Sequence, residues 1–170
     1  MLRAALILAL TALPVTAQDW STVEFMTRKL DDPDHGAAYR AAVAACLAGR
    51  GDPAATAALF LEGNWVTVEE REQGLMEIFS PDADLYVLAA DDGSFCAAYS
   101  EVQGTATAIG NLQIIGGAAG LSLESLDMPA GCIAFALGHG IQAEVTSSGN
   151  DPVCESETTS SVRFIFGGAG

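Results

Sequence analysis

The chain has 170 residues, half of them apolar and 17% charged, which is room for one ordinary globular domain rather than a two-domain enzyme or a repeat array. Seven Lys plus Arg against 22 Asp plus Glu give a formal charge of −15, and no basic cluster occurs anywhere. Nucleic acid and anionic membrane surfaces are therefore poor partners, since both require cations to neutralise phosphate.

The first segment reads as an export signal. Arg3 supplies a short basic start, residues 4–13 an apolar run, Pro14 a break, and Val15-Thr16-Ala17 a small-residue cleavage site before Gln18. The run is about half of the roughly 20 residues a membrane-spanning helix needs, so a permanent anchor is not expected. Neither a cysteine for lipid attachment nor a twin-arginine pair accompanies the cleavage site. The sequence thus divides into a signal peptide over 1–17 and a single domain over 18–170, helical across 20–63 and sheet-rich across 65–167. Loss of Arg3 leaves six bases against 22 acids, a charge of −16. The mean hydropathy of +0.31 is raised by the segment that is removed.

Three helices are expected next. Ser21 or Thr22 caps a segment reaching Leu30, with Arg28 and Lys29 in its last turn, and the run Asp31-Asp32-Pro33-Asp34 stops it. A second helix covers 36–48, where Tyr39, Val43, Cys46 and Leu47 form one apolar stripe. Asp52-Pro53 has the form of an N-cap with proline at the first helical position and opens a third helix to about Leu61.

From Trp65 onward the period shortens from that of a helix to that of a strand. Residues 74–80, 84–90 and 94–100 read as three strands. Asp92-Gly93 suggests a type I′ hairpin between the last two, because that turn requires φ > 0 at both central positions. The run Leu85-Tyr86-Val87-Leu88 is apolar on both faces and should lie inside the sheet. A helix over 104–115 follows, with Ile109, Leu112 and Ile115 spaced to pack on the sheet. Three further strands are expected at 131–138, 141–147 and 160–166, with Gly138-His139-Gly140 as a hairpin turn and 147–157 as a surface loop. This order predicts an α+β fold: an antiparallel sheet of about six short strands with helices packed on one face, stapled by disulfides.

Four cysteines in an exported chain favour two disulfides. Cys46 with Cys96 would join a helix to a strand, and Cys132 with Cys154 would tie a strand start to the loop before the last strand. A redox site lacks its C-x-x-C pair, and a zinc site lacks two close ligand pairs, with His35 and His139 both far from any cysteine. Asp31, Asp32 and Asp34 invite a calcium reading. An EF-hand loop counted from Asp32, however, places Gly36 at position five and Val43 at position twelve, so the closing carboxylate is missing. Asn150-Asp151 with Glu155 and Glu157 makes a second acidic loop. His139 would need Ser147, Ser148 and Asp151 folded back onto it to act as a base, and no G-x-S-x-G elbow occurs. No catalytic, cofactor or metal residue is assigned from the sequence, and Trp65 reads as a core anchor.

Charge is uneven: from Glu72 to the end there are 13 acids and one base, Arg163. The expectation is an exported, non-catalytic periplasmic or secreted domain that binds a protein or small ligand. The alternatives are a small exported hydrolase with His139 at its centre, or an acidic inhibitor or immunity-type partner of a basic enzyme. An exposed apolar patch, a polar cleft at His139 and a continuous acidic surface are the features that would favour each in turn.

Overall fold

The computed structural model describes residues 19–167 apart from 71, 83, 129–131 and 150. The signal peptide, Gly131 at the expected start of a strand, Asn150 of the acidic loop and the tail beyond 167 fall outside the described residues.

Asp19, not Ser21 or Thr22, opens the first helix, α1 (Trp20–Met26), by accepting from the Thr22 amide at 3.3 Å and the Thr22 hydroxyl at 2.8 Å. Hydrogen bonds from Ser21 and Thr22 hold its carboxyl below the usual carboxylate range. The rest of the expected helix tightens into a 3₁₀ turn, Thr27–Lys29. Asp34 caps α2 (His35–Gly49) by accepting from the Ala37 amide at 2.8 Å. Asp52 caps α3 (Pro53–Glu62) from the Ala55 amide at 3.0 Å, with Pro53 at its first position as the sequence suggests.

Eight strands, not about six, form one antiparallel sheet: β1 (Val66–Glu70), β2 (Leu75–Phe79), β3 (Leu85–Ala90), β4 (Phe95–Ser100), β5 (Glu124–Asp127), β6 (Ile133–Gly138), β7 (Ile141–Thr146) and β8 (Ser160–Phe166). Their order is β1-β2-β3-β4-β8-β7-β6-β5. Each half is a four-strand meander, and the last strands of the two meanders meet at the seam β4–β8. α4 (Thr105–Ala119) connects the halves. It runs four residues past the expected end at Ile115, through Gly116 and Gly117, and stops at Gly120 with φ 66°. A β-carbon at Gly116 would collide with Leu123, so this glycine is a close-packing residue inside the helix rather than a stop.

Helix packing also differs somewhat from the expected helices laid on one face of the sheet. α2, α3 and α4 lie against the sheet, whereas α1 and the 3₁₀ turn sit on α2, with α1 also on α4, making a second tier. α2 is therefore enclosed nearly all round, with eleven of its fifteen residues buried in place of one apolar stripe. Its seven alanines permit this, because short side chains let backbones approach from several sides. The Arg40 Nε donates to Asn111 Oδ1 at 2.8 Å and links α2 to α4.

Every sheet residue in the main core cluster comes from one set of alternate positions. Examples are Ile78, Val87, Ala98, Val162 and Val145, which face one another across five strands and are at most 1% exposed. Trp65 anchors the approach to β1: it is buried, donates from Nε1 to the Leu30 carbonyl at 3.0 Å and packs on Phe60 at 5.0 Å between ring centroids.

Both disulfides are present. Cys46 of α2 joins Cys96 of β4, with Cα atoms 5.4 Å apart, and Cys132 joins Cys154 with 4.6 Å. The first staples helix to sheet. The second ties the start of β6 to the loop before β8, and Thr105 fastens that loop again through its amide to the Ser156 carbonyl at 2.9 Å. The two bridges suit an oxidising environment. No helix among the described residues is long and apolar enough to cross a membrane.

Candidate binding surface

Strand alternation sends a second set of side chains away from the helices. Val66 and Val68 of β1 are 60% and 40% exposed, and Phe79 of β2, directly opposite Val66, is 38% exposed. The same cross-strand row continues through Tyr86 and Tyr99, whose rings stack with centroids 4.4 Å apart and planes 2° from parallel. Burial pushes the Tyr86 phenol up to about 12, with Tyr99 and Glu101 adding to the shift and a hydrogen bond from the Gly149 backbone opposing it. In the next row Val68 faces Glu77, followed by Leu88, Ala97 and Arg163, whose guanidinium lies 5.5 Å from the Phe95 ring centroid. This outer face is therefore exposed and apolar toward β1 and β2, whereas Ala97 and Tyr99 on the same face of β4 are buried.

Where Gly63 and Asn64 lead into β1 and Pro81 and Asp82 follow β2, a pocket of about 240 Å³ is lined by Asp31, Asp32 and Asp82 together with Leu30, Pro33 and Leu85. The Lys29 ammonium, 2.9 Å from Asp32 Oδ2, holds that carboxyl below the usual range. His35 and Ser80 line the same pocket. His35 Nε2 lies 3.9 Å from Asp84 Oδ2, while the Ser80 hydroxyl is buried with no hydrogen-bond partner, so no serine–histidine pair is formed here.

The other sequence candidates are dispersed. His139 (φ 52°) and Gly140 (φ 74°) are the two central residues of a tight turn joining β6 to β7, with both φ values positive as a type I′ turn demands. The type I′ geometry expected at Asp92-Gly93 is absent: only Gly93 has positive φ, and a four-residue loop connects β3 to β4. Ser147 follows the far end of β7, about 20 Å along the strand from His139, and its hydroxyl is engaged by Val153 and Ser148. The serine–histidine arrangement considered for 139, 147 and 148 is not assembled. Asp31, Asp32 and Asp34 form the α1–α2 connection, and no group of three or more His, Cys, Asp or Glu among the described residues is placed to hold a metal ion. Glu155 and Glu157 line a wider depression of about 580 Å³ at the N-terminus of α4. They put negative charge where that helix end would otherwise attract an anion.

The exposed patch on β1 and β2 is the feature that sequence reasoning missed. Its only trace is the Val66-Thr67-Val68 alternation after Trp65. No protein-family model, curated protein or solved structure matches the chain.

Proposed function

We propose that this chain is an exported, non-catalytic binding module of the periplasm or the extracellular medium, and that it recognises a partner through the outer face of its sheet. The observation that carries this reading is the contiguous exposure of Val66, Val68 and Phe79 beside the Tyr86–Tyr99 stack, on the face that the core does not use. Large apolar side chains cost solubility when clustered in water, and clusters of this kind mark interaction sites. The two disulfides and the signal-like N-terminus support an oxidising, exported setting, and the strong negative charge adds a preference for a basic partner.

Photocrosslinking tests the reading. The exported protein carrying benzoyl-phenylalanine in place of Val68 or Phe79 is expected to give discrete adducts in the producing cell, whereas the same group in place of Ala58, exposed on α3, is not. Equal adducts from all three positions, or none from 68 and 79, would remove the outer face as the recognition surface.

A further inference from the structure

We propose that β1 takes up, as a ninth strand, an extended segment of another protein that alternates apolar with basic side chains. The proposal rests on the binding reading above and specifies its partner and mode.

β1 is an edge of the eight-stranded sheet, so one side of its backbone has no strand partner among the described residues. Edge strands are commonly blunted by charged side chains, proline, a bulge or extreme shortness. In Val66–Glu70 the charges, Glu69 and Glu70, are confined to one end, and the register with β2 is continuous over five residue pairs. The opposite edge, β5, is guarded, being four residues long with Glu124 and Asp127 at its ends and only one side chain partly buried. Strand addition uses an open backbone for affinity and alternate side chains for selectivity.

The side chains flanking β1 define what the added strand must carry. On the outer face Val66 and Phe79 offer an apolar strip. Glu70 in the strand and Glu77 opposite Val68 stand farther along the same face, and the pocket of Asp31, Asp32 and Asp82 lies at the end where Gly63 and Asn64 enter β1. An incoming strand therefore gains by placing apolar groups over Val66 and Phe79 and cations near these carboxylates. Charge decides against a second copy of this chain as the occupant. Each mature copy would carry −16, and pairing two β1 edges brings both sets of carboxylates together.

The probe is a capped nine-residue peptide, Lys-Val-Thr-Val-Lys-Val-Thr-Val-Lys, added to the mature protein at physiological ionic strength. Calorimetry and hydrogen exchange are the readouts. Saturable binding that slows amide exchange over 66–70 is expected. It should weaken about tenfold when Glu replaces Lys in the peptide, or when Val66→Thr and Val68→Thr are combined in the protein. A version N-methylated at alternate amides, which keeps the charge but cannot extend a sheet, should not bind.

Equal binding of the methylated peptide would reduce the effect to charge attraction and overturn the proposal. So would concentration-dependent dimerisation that slows exchange at β1 without peptide, because the occupant would then be a second copy. Protection around Tyr86 and Tyr99 with none at β1 would overturn strand addition while leaving the outer face as a binding surface. Absence of binding would also overturn it, and the crosslinking experiment decides the broader reading independently.

Discussion

Replacing Cys46 and Cys96 together by alanine is expected to lower stability by about 4 kcal/mol or slightly more. The bridge closes a loop of 50 residues, and chain entropy alone assigns a loop of that size about 4 kcal/mol. Both cysteines are buried between α2 and β4, so losing two sulfur atoms also opens space in the core. For a domain of this size the loss corresponds to a fall in melting temperature of about 10 to 15 °C. The matching change at Cys132 and Cys154 closes a loop of 22 residues at a partly exposed site, and its effect should be smaller, about 3 kcal/mol. Thermal unfolding followed by circular dichroism checks both. A fall under about 3 °C for the first pair would mean that the helix-to-sheet staple adds nothing to the packing beneath it.

A comparable loss is expected from Gly93→Ala. Gly93 has φ 75° in the β3–β4 loop, where any other L-residue pays about 1 to 2 kcal/mol. Its β-carbon would also meet the carbonyl of Gly51 in the α2–α3 turn, with the Gly51 carbonyl carbon 3.0 Å away. The contact is mutual, since a β-carbon on Gly51 would lie 2.9 Å from the Gly93 carbonyl. Two backbone segments cannot separate without moving α2 against β4, so the combined cost is about 3 kcal/mol or more. Gly74→Ala is the control: φ is 65° there, but nothing lies within 4 Å, and only the conformational cost of about 1 to 2 kcal/mol applies. Equal losses at the two positions would show that the contact between Gly51 and Gly93 carries no energy.

The elements visible in the sequence were those whose side chains are themselves buried. β2, β3, β4, β6, β7 and β8 and the helices announce themselves by apolar period or by a cap, as do Asp52 and Pro53. β1 and β5 do not. An edge strand is held through backbone pairing on one side, so Val-Thr-Val-Glu-Glu and Glu-Ser-Leu-Asp need bury almost nothing. Glycine misled in both directions: Gly116 looked like the end of α4 and is instead a contact with Leu123, while the type I′ turn belongs to His139-Gly140 and not to Asp92-Gly93. The disulfide partners followed from placing Cys46 on a buried helix and Cys96 in a strand. The candidate surface was hidden because it depends on register. Val66, Phe79, Tyr86 and Tyr99 are distant in sequence and become one row only when four strands align.

If one face of the sheet makes the fold and the other is left for a partner, identical substitutions on the two faces must differ. The deciding quantity is the melting temperature of Val66→Thr with Val68→Thr, compared with that of Val87→Thr with Val162→Thr. Threonine keeps strand propensity and shape, so the comparison isolates the burial of a hydroxyl. On the inner face, where both valines are fully buried, the pair is expected to cost about 2 to 6 kcal/mol, since each hydroxyl must leave water. On the outer face the expected change is within about 1 kcal/mol, or about 3 °C. Equal falls for the two pairs would contradict the account, because Val66 and Val68 would then belong to the packing of the domain and not to a surface kept open for binding.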